Sequence, residues 1–163
     1  MQLPWIDEAK KWIGIKEMNN NPKVLNFATI VGGDVAQDYN DTSIPWCGLF
    51  IAFCMAQIGV VPVETPLWAR NWAKFGTHLD VPAYGCIIVF ARGNAGHVGF
   101  YMGENSDYYF VLGGNQSDSV CLTQVAKNRA IAYRWPSEME KFLNKGRVQV
   151  AALKNVTISS KEV

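Results

Sequence analysis

Two residues have the types and settings to carry out a reaction: a cysteine at the mouth of an apolar run, Pro45-Trp46-Cys47-Gly48-Leu49-Phe50, and a histidine further along, in Gly96-His97-Val98-Gly99-Phe100. A thiol attacks a carbonyl carbon well only when a base takes its proton, and imidazole is the side chain suited to that near neutral pH. A cysteine that opens a helix also meets unpaired backbone N–H groups and the positive end of the macrodipole, which favour thiolate over thiol. The same N–H groups can receive the negative oxygen formed when an amide carbonyl is attacked, and losing one such donor costs about 3 kcal/mol of barrier. The combination points to an enzyme with a thiol nucleophile.

His97 opens a strand-like segment whose alternation sets His97, Gly99 and Tyr101 on one face and Val98, Phe100 and Met102 on the other. The next such segment ends in Leu112-Gly113-Gly114-Asn115-Gln116. Asn115 is the candidate third member, bonding the far ring nitrogen of His97 and fixing its tautomer. Trp46, Trp68, Trp72, Arg92 and Gln116 are candidates for binding substrate: aromatic faces suit sugars and peptides, and an arginine grips a carboxylate with two parallel bonds. The plainer reading of Trp68 and Trp72 is that their rings fill the core, as tryptophan rings usually do. Cys54, inside the same helix, reads as structural. His78 has no metal-ligand spacing to His97, so two histidines give no zinc site.

The elements that must position these residues are legible in outline. Trp5, Ile6, Ala9, Trp12 and Ile13 recur at helical spacing, which predicts an opening amphipathic helix over Leu3 to Ile15 behind Pro4. A second short helix is predicted over Lys23 to Ile30, and the polar stretch Asp34 to Pro45 reads as loop. Cys47 to Ile58 is apolar on nearly all sides and stops at Gly59, the pattern of a buried central helix. Leu67 to Phe75 is a third helical stretch. Strands follow at Cys86 to Phe90, His97 to Met102, Tyr108 to Leu112 and Ile131 to Trp135. Helices first and an antiparallel sheet second predict an α+β fold. After Pro136 come a short helical pattern at Met139 to Leu143, a strand-like Val148 to Leu153 and a polar tail, read as a C-terminal extension over residues 137–163.

With 163 residues, 49% of them hydrophobic, the chain can bury one core and is too short for two substantial ones. Fifteen Lys and Arg face fourteen Asp and Glu, a net charge of +1, so no strong field is available to hold nucleic acid or an anionic membrane. The N-terminus has neither the basic start nor the apolar run of a secretory signal, and no stretch is long enough to span a bilayer, so synthesis in the cytoplasm without that export route is expected. Of the four cysteines, Cys47 and Cys54 lie two helical turns apart, about 10 Å, beyond bridging reach. A reducing compartment is the simpler reading.

Taken in order, Pro45-Trp46-Cys47 with its apolar helix, Ala69-Arg70-Asn71-Trp72, Val89-Phe90-Ala91-Arg92-Gly93, Gly96-His97-Val98-Gly99-Phe100-Tyr101, Leu112-Gly113-Gly114-Asn115-Gln116 and Tyr133-Arg134-Trp135-Pro136 resemble the CHAP group of cysteine, histidine-dependent amidohydrolases/peptidases. The resemblance is greatest to the small members found in phage lysis proteins and prophage regions, and it spans roughly Leu3 to Pro136. It implies a papain-like fold over residues 1–136 and cleavage of amide bonds in peptidoglycan. In that scheme Cys47 is the nucleophile, His97 the base and then the acid, and Asn115 the orienting residue. The implied roles are an endolysin, a secreted amidase effector, a virion-associated wall hydrolase, or a catalytically silent wall-binding component. A monomer acting on the wall, in the periplasm or outside the cell, is expected. Two departures stand out. Many relatives carry a Glu shortly before the Asn, where this chain has Gly113. Others bind calcium just upstream of the cysteine; here Asp38, Asn40 and Thr42 alternate, but Ile44 and Leu49 stand where oxygen ligands would be wanted, and calcium takes six or more. No cofactor is therefore expected, with Asp38 and Asn40 the weak calcium candidates.

Overall fold

The computed structural model describes residues 2–18, 20–143 and 158–159. Its sheet has the order β1-β6-β2-β3-β4-β5-β7, formed by β1 (Thr77–His78), β2 (Ile87–Arg92), β3 (Ala95–Glu104), β4 (Tyr108–Gln116), β5 (Ser119–Ala126), β6 (Ala130–Trp135) and β7 (Ile158–Ser159). The first six strands are mutually antiparallel, and the two-residue β7 runs parallel to β5. Among the described residues, four α-helices precede the sheet: α1 (Pro4–Lys10), α2 (Pro22–Val31), α3 (Gly33–Asp38) and α4 (Cys47–Gln57). This is the predicted α+β arrangement.

Every residue of α4 from Cys47 to Met55 is buried, as expected of a helix without a polar face. One side of it meets β3 and β4; another receives α2. Phe27 of α2 lies with its ring centroid 4.4 Å from that of Phe53 and 5.6 Å from that of Phe50. Burying each such ring contributes about 1.5–3 kcal/mol, so this aromatic seam is a principal anchor of the helix that carries Cys47. The helix ends where Gly59 takes φ 77°, a conformation that a residue with a Cβ adopts only with strain.

Several boundaries differ from the sequence reading, each for a physical reason. The opening helix stops at Lys10, because the following chain is drawn to β5: Gly14 donates its N–H to Val120 O at 2.9 Å, and Lys16 forms a bridge with Ser119. The stretch read as loop contains α3, and the third helical stretch is a 3-10 helix, Ala69–Lys74. β5 was not foreseen at all. Its hairpin turns on Ser117 and Asp118, both at positive φ (50° and 56°), a turn usually announced by Asn-Gly or Asp-Gly.

The first part of the expected extension packs on the rest of the chain. A 3-10 helix, Ser137–Phe142, accepts the indole N–H of Trp135 at Met139 O (2.8 Å), and Phe142 meets Trp5 edge to face at 6.3 Å. The predicted strand at Val148 to Leu153 lies outside the described residues. Among the described residues, no helix is long and apolar enough to cross a membrane.

Candidate active site

Cys47 is the first residue of α4, and Trp46 before it gives the helix no side-chain cap. The first N–H groups of a helix have no partner inside it, so here they are left to whatever lies at its mouth. The backbone N–H groups of Cys47 and Gly48 point at the Cys47 sulfur, and so does that of Val98, the residue after His97 in β3. The thiol therefore sits against the strand that carries the histidine. Its acidity departs from the expectation. Cys47 is 3% exposed, and burial pushes its pKa up, outweighing the three N–H groups and the positive charge of Arg92 that pull it down. Burial thus favours the neutral thiol over the thiolate at Cys47.

His97 is fully buried and stacks on Phe90, its cross-strand partner in β2, at 6.3 Å and 23°. Its Nε2 lies 2.9 Å from Gln116 Oε1. The carboxamide of Gln116 can face only one way, because its nitrogen donates to two carbonyl oxygens, those of Val111 (3.1 Å) and Cys121 (2.6 Å). Its oxygen must then accept from His97. This makes Nε2 the protonated ring nitrogen and leaves the lone pair of a neutral ring on Nδ1. Nδ1 is buried without a hydrogen-bond partner, so thiol and imidazole share the β3 backbone at Val98 without being bonded to each other at rest. Such contacts often tighten only when substrate binds.

The side chain that meets the far ring nitrogen of His97 is that of Gln116, while Asn115, the candidate for that place, makes no such bond. Asn115 sits at φ 55°, nearly buried, and its side-chain oxygen has no partner. The register shift in the β4–β5 ladder between Gly113 and Gln116 explains the exchange. Gly114 and Asn115 stand there opposite the single residue Val120, so one extra residue is accommodated and Gln116 returns its carboxamide to the face shared by Gly99 and Gly113. A Cβ at Gly113 would stand 2.8 Å from Gln116 Oε1, so the glycine at this position makes room for the amide.

The other predicted residues divide sharply. Trp68 is 71% exposed and lines an open groove of about 630 Å³ together with Cys47, Leu67, Arg70, Arg92 and Gly96. Trp72 is fully buried, its N–H donated to Pro66 O at 3.0 Å, and serves the core. Trp46 is also buried; its N–H goes to Glu17 Oε2 at 2.8 Å, and its ring lies where a Cβ at Gly114 would come within 2.8 Å. It braces the start of α4 against the end of β4. Gln116, being fully buried on His97, is likewise out of reach of a ligand in the groove. Asp38 and Asn40 are exposed on either side of buried Tyr39, and the described residues bring together no group of three His, Cys, Asp or Glu side chains. Asp38 and Asn40 do not fit a calcium cage, which takes six or more oxygen ligands.

Gly48 fixes where the start of α4, and so Cys47, stands. A Cβ there would overlap the carbonyl oxygen of Pro66, a backbone atom that cannot swing aside. Elsewhere in a helix, replacing Gly with Ala gains up to about 1 kcal/mol. Here Gly48→Ala is expected to cost about 2–3 kcal/mol and to lower Tm by roughly 5–10 °C in calorimetry. An unchanged Tm would show that the 62–67 segment yields freely.

Residues 38–115 match the family model of the CHAP domain, a span that includes Cys47 and His97 and ends just before Gln116. No curated protein matches the chain.

Proposed function

We propose, from the premise that this chain carries a CHAP-type domain, that it hydrolyses amide bonds of peptidoglycan with Cys47 as nucleophile, His97 as base and acid, and Gln116 as the residue that orients the imidazole. The CHAP domain points to a hydrolase of the wall, as an amidase or a peptidase. The observation that carries the residue roles is the forced tautomer of His97, which leaves a basic nitrogen buried on the strand against which the Cys47 sulfur rests.

The mechanism begins with proton transfer from the thiol to Nδ1 as sulfur attacks the carbonyl carbon. Negative charge forms on the carbonyl oxygen near the N–H groups of Cys47 and Gly48, which have no competing cap. The imidazolium then gives its proton to the leaving amine as the C–N bond breaks, leaving a thioester. Water attacks the thioester carbon with Nδ1 again accepting a proton, and the carboxylic acid and thiol are restored. The Nε2–H bond to Gln116 persists throughout, so the ring never flips.

The pH dependence follows from burial. Burial, with the charges of Arg92 and Arg129, lowers the His97 pKa from its ordinary 6.5 to about 4 against the opposing pull of Gln116. Only the neutral ring can take the thiol proton, so the acidic limb of kcat/KM is expected to have its midpoint near pH 4. Stability carries the same signature: the contribution of His97 is complete above pH 6.5 and is lost as pH falls toward 4. Steady-state rates and thermal melts across that range check both. A midpoint near 6.5 would show that the ring is solvated in the working enzyme.

The direct test is mass spectrometry of the soluble fragments released from purified peptidoglycan, with heat-inactivated protein as control. New amino termini establish the hydrolase and identify the bond cut, separating amidase from endopeptidase. Release of nothing from walls of several chemotypes would overturn the reading in favour of wall binding without catalysis.

A further inference from the structure

The groove beside Cys47 has an unbalanced charge. Arg92 ends β2 at the groove, exposed, and has no hydrogen bond or ion pair among the described residues. Its neighbour Arg70 is committed: Nε donates to Ala95 O at 2.8 Å and Nη2 to Gly93 O at 3.0 Å. Those two bonds tie down the turn between β2 and β3, so the hairpin that presents Arg92 is held in place. Among the described residues, no acidic side chain lines the groove. The charge of Arg92 reaches both reacting groups, acting on the Cys47 sulfur and on the His97 ring.

A guanidinium without a partner among the described residues, beside Cys47 and sharing its groove with the exposed indole of Trp68, is complementary to one kind of occupant. We infer that Arg92 binds a free carboxylate of the substrate close to the scissile amide, making the enzyme selective for wall peptides in the free-acid form over their carboxamides, with Trp68 packing on the adjoining apolar part. This deepens the hydrolase reading and rests on it. The planar fork of arginine gives two parallel bonds to a carboxylate, whereas a carboxamide offers one acceptor and presents its own donors to the fork.

The experiment uses synthetic stem peptides differing in one group. In one pair, a glutamate linked through its side chain carries a free α-carboxylate or the amide; in a second pair, the C-terminus is free or amidated. Wild-type protein is expected to show a kcat/KM ratio of acid to amide of about 10 to 100 for one pair, which identifies the carboxylate read. Arg92→Gln is expected to bring that ratio near 1, and Arg92→Lys to leave an intermediate ratio, because the charge remains without the fork. Taking the ratio within each protein cancels any effect of Arg92 on the thiol itself. A wild-type ratio near 1 for both pairs, or an Arg92→Gln ratio equal to that of wild type, overturns the inference.

Binding of the same peptides to Cys47→Ala protein, with and without Arg92→Gln, separates this idea from the hydrolase reading. Tighter binding of the acid form that Arg92→Gln abolishes upholds the carboxylate site even where no peptide is cut. Cleavage of both forms at equal rates leaves the hydrolase standing and removes the carboxylate site.

Discussion

Cys47→Ala is expected to reduce wall hydrolysis to the background of the uncatalysed reaction, a loss of at least about 10⁴-fold in kcat/KM. The proposed chemistry has no substitute nucleophile: Cys54 and Cys86 are fully buried with burial pushing their thiols up, and Cys121 holds the Gln116 backbone oxygen at 3.2 Å. Folding should be little affected, because the lost thiol is a small group in a site that is neutral at rest; a Tm within a few degrees of wild type is expected. That pairing of outcomes matters. Loss of activity with an intact melt assigns Cys47 to the chemistry, loss of both would assign it to the core, and retained activity would remove the thiol mechanism. A serine in its place is expected to fare no better, since a hydroxyl is harder to deprotonate than a thiol and the buried neutral imidazole is a weak base.

Cys47 and His97 stood out as candidate nucleophile and base by residue type and local setting, a cysteine at the boundary of an apolar helix and a histidine within a strand pattern, and the structure sets the Cys47 sulfur against the strand that carries His97. The central helix was equally plain, since eleven residues with no polar face have one place to go. What sequence could not supply was parity. Alternation along a strand identifies the residues of one face only while the ladder stays in register, and the shift between Gly113 and Gln116 breaks the count just before the side chain that meets His97. Asn115, the residue picked by type, is spent at positive φ in the irregularity itself. The tryptophans illustrate a second limit. Trp46, Trp68 and Trp72 are alike as letters, yet two are buried with their N–H groups engaged and one stands in the groove, because burial depends on loops such as Pro66-Leu67 that pack from elsewhere in the chain.

Gln116→Leu tests whether Gln116, the side chain on His97, orients the imidazole. Leucine keeps much of the volume of glutamine but cannot accept from His97, so the ring loses the bond that holds its proton on Nε2 and becomes free to place it on Nδ1, the wrong nitrogen for a base. Withdrawing the orienting partner in a comparable triad costs about 10⁴ in kcat, and there the partner is charged. A neutral carboxamide supplies less, so a fall of about 10²–10³ in kcat is expected, with KM little changed because Gln116 does not line the groove. Stability is the competing explanation, since the same substitution leaves the carbonyls of Val111 and Cys121 without their donor. Gln116→Glu separates the two. It loses that donor as well, yet its carboxylate still accepts from Nε2–H and stabilises the imidazolium, so it is expected to melt below wild type while retaining more activity than the leucine variant and shifting the acidic limb of kcat/KM above pH 4. Asn115→Ala is expected to leave that limb where it stands, because its side-chain oxygen bonds nothing. If Asn115→Ala moves the limb and Gln116→Glu does not, the orienting role returns to the asparagine.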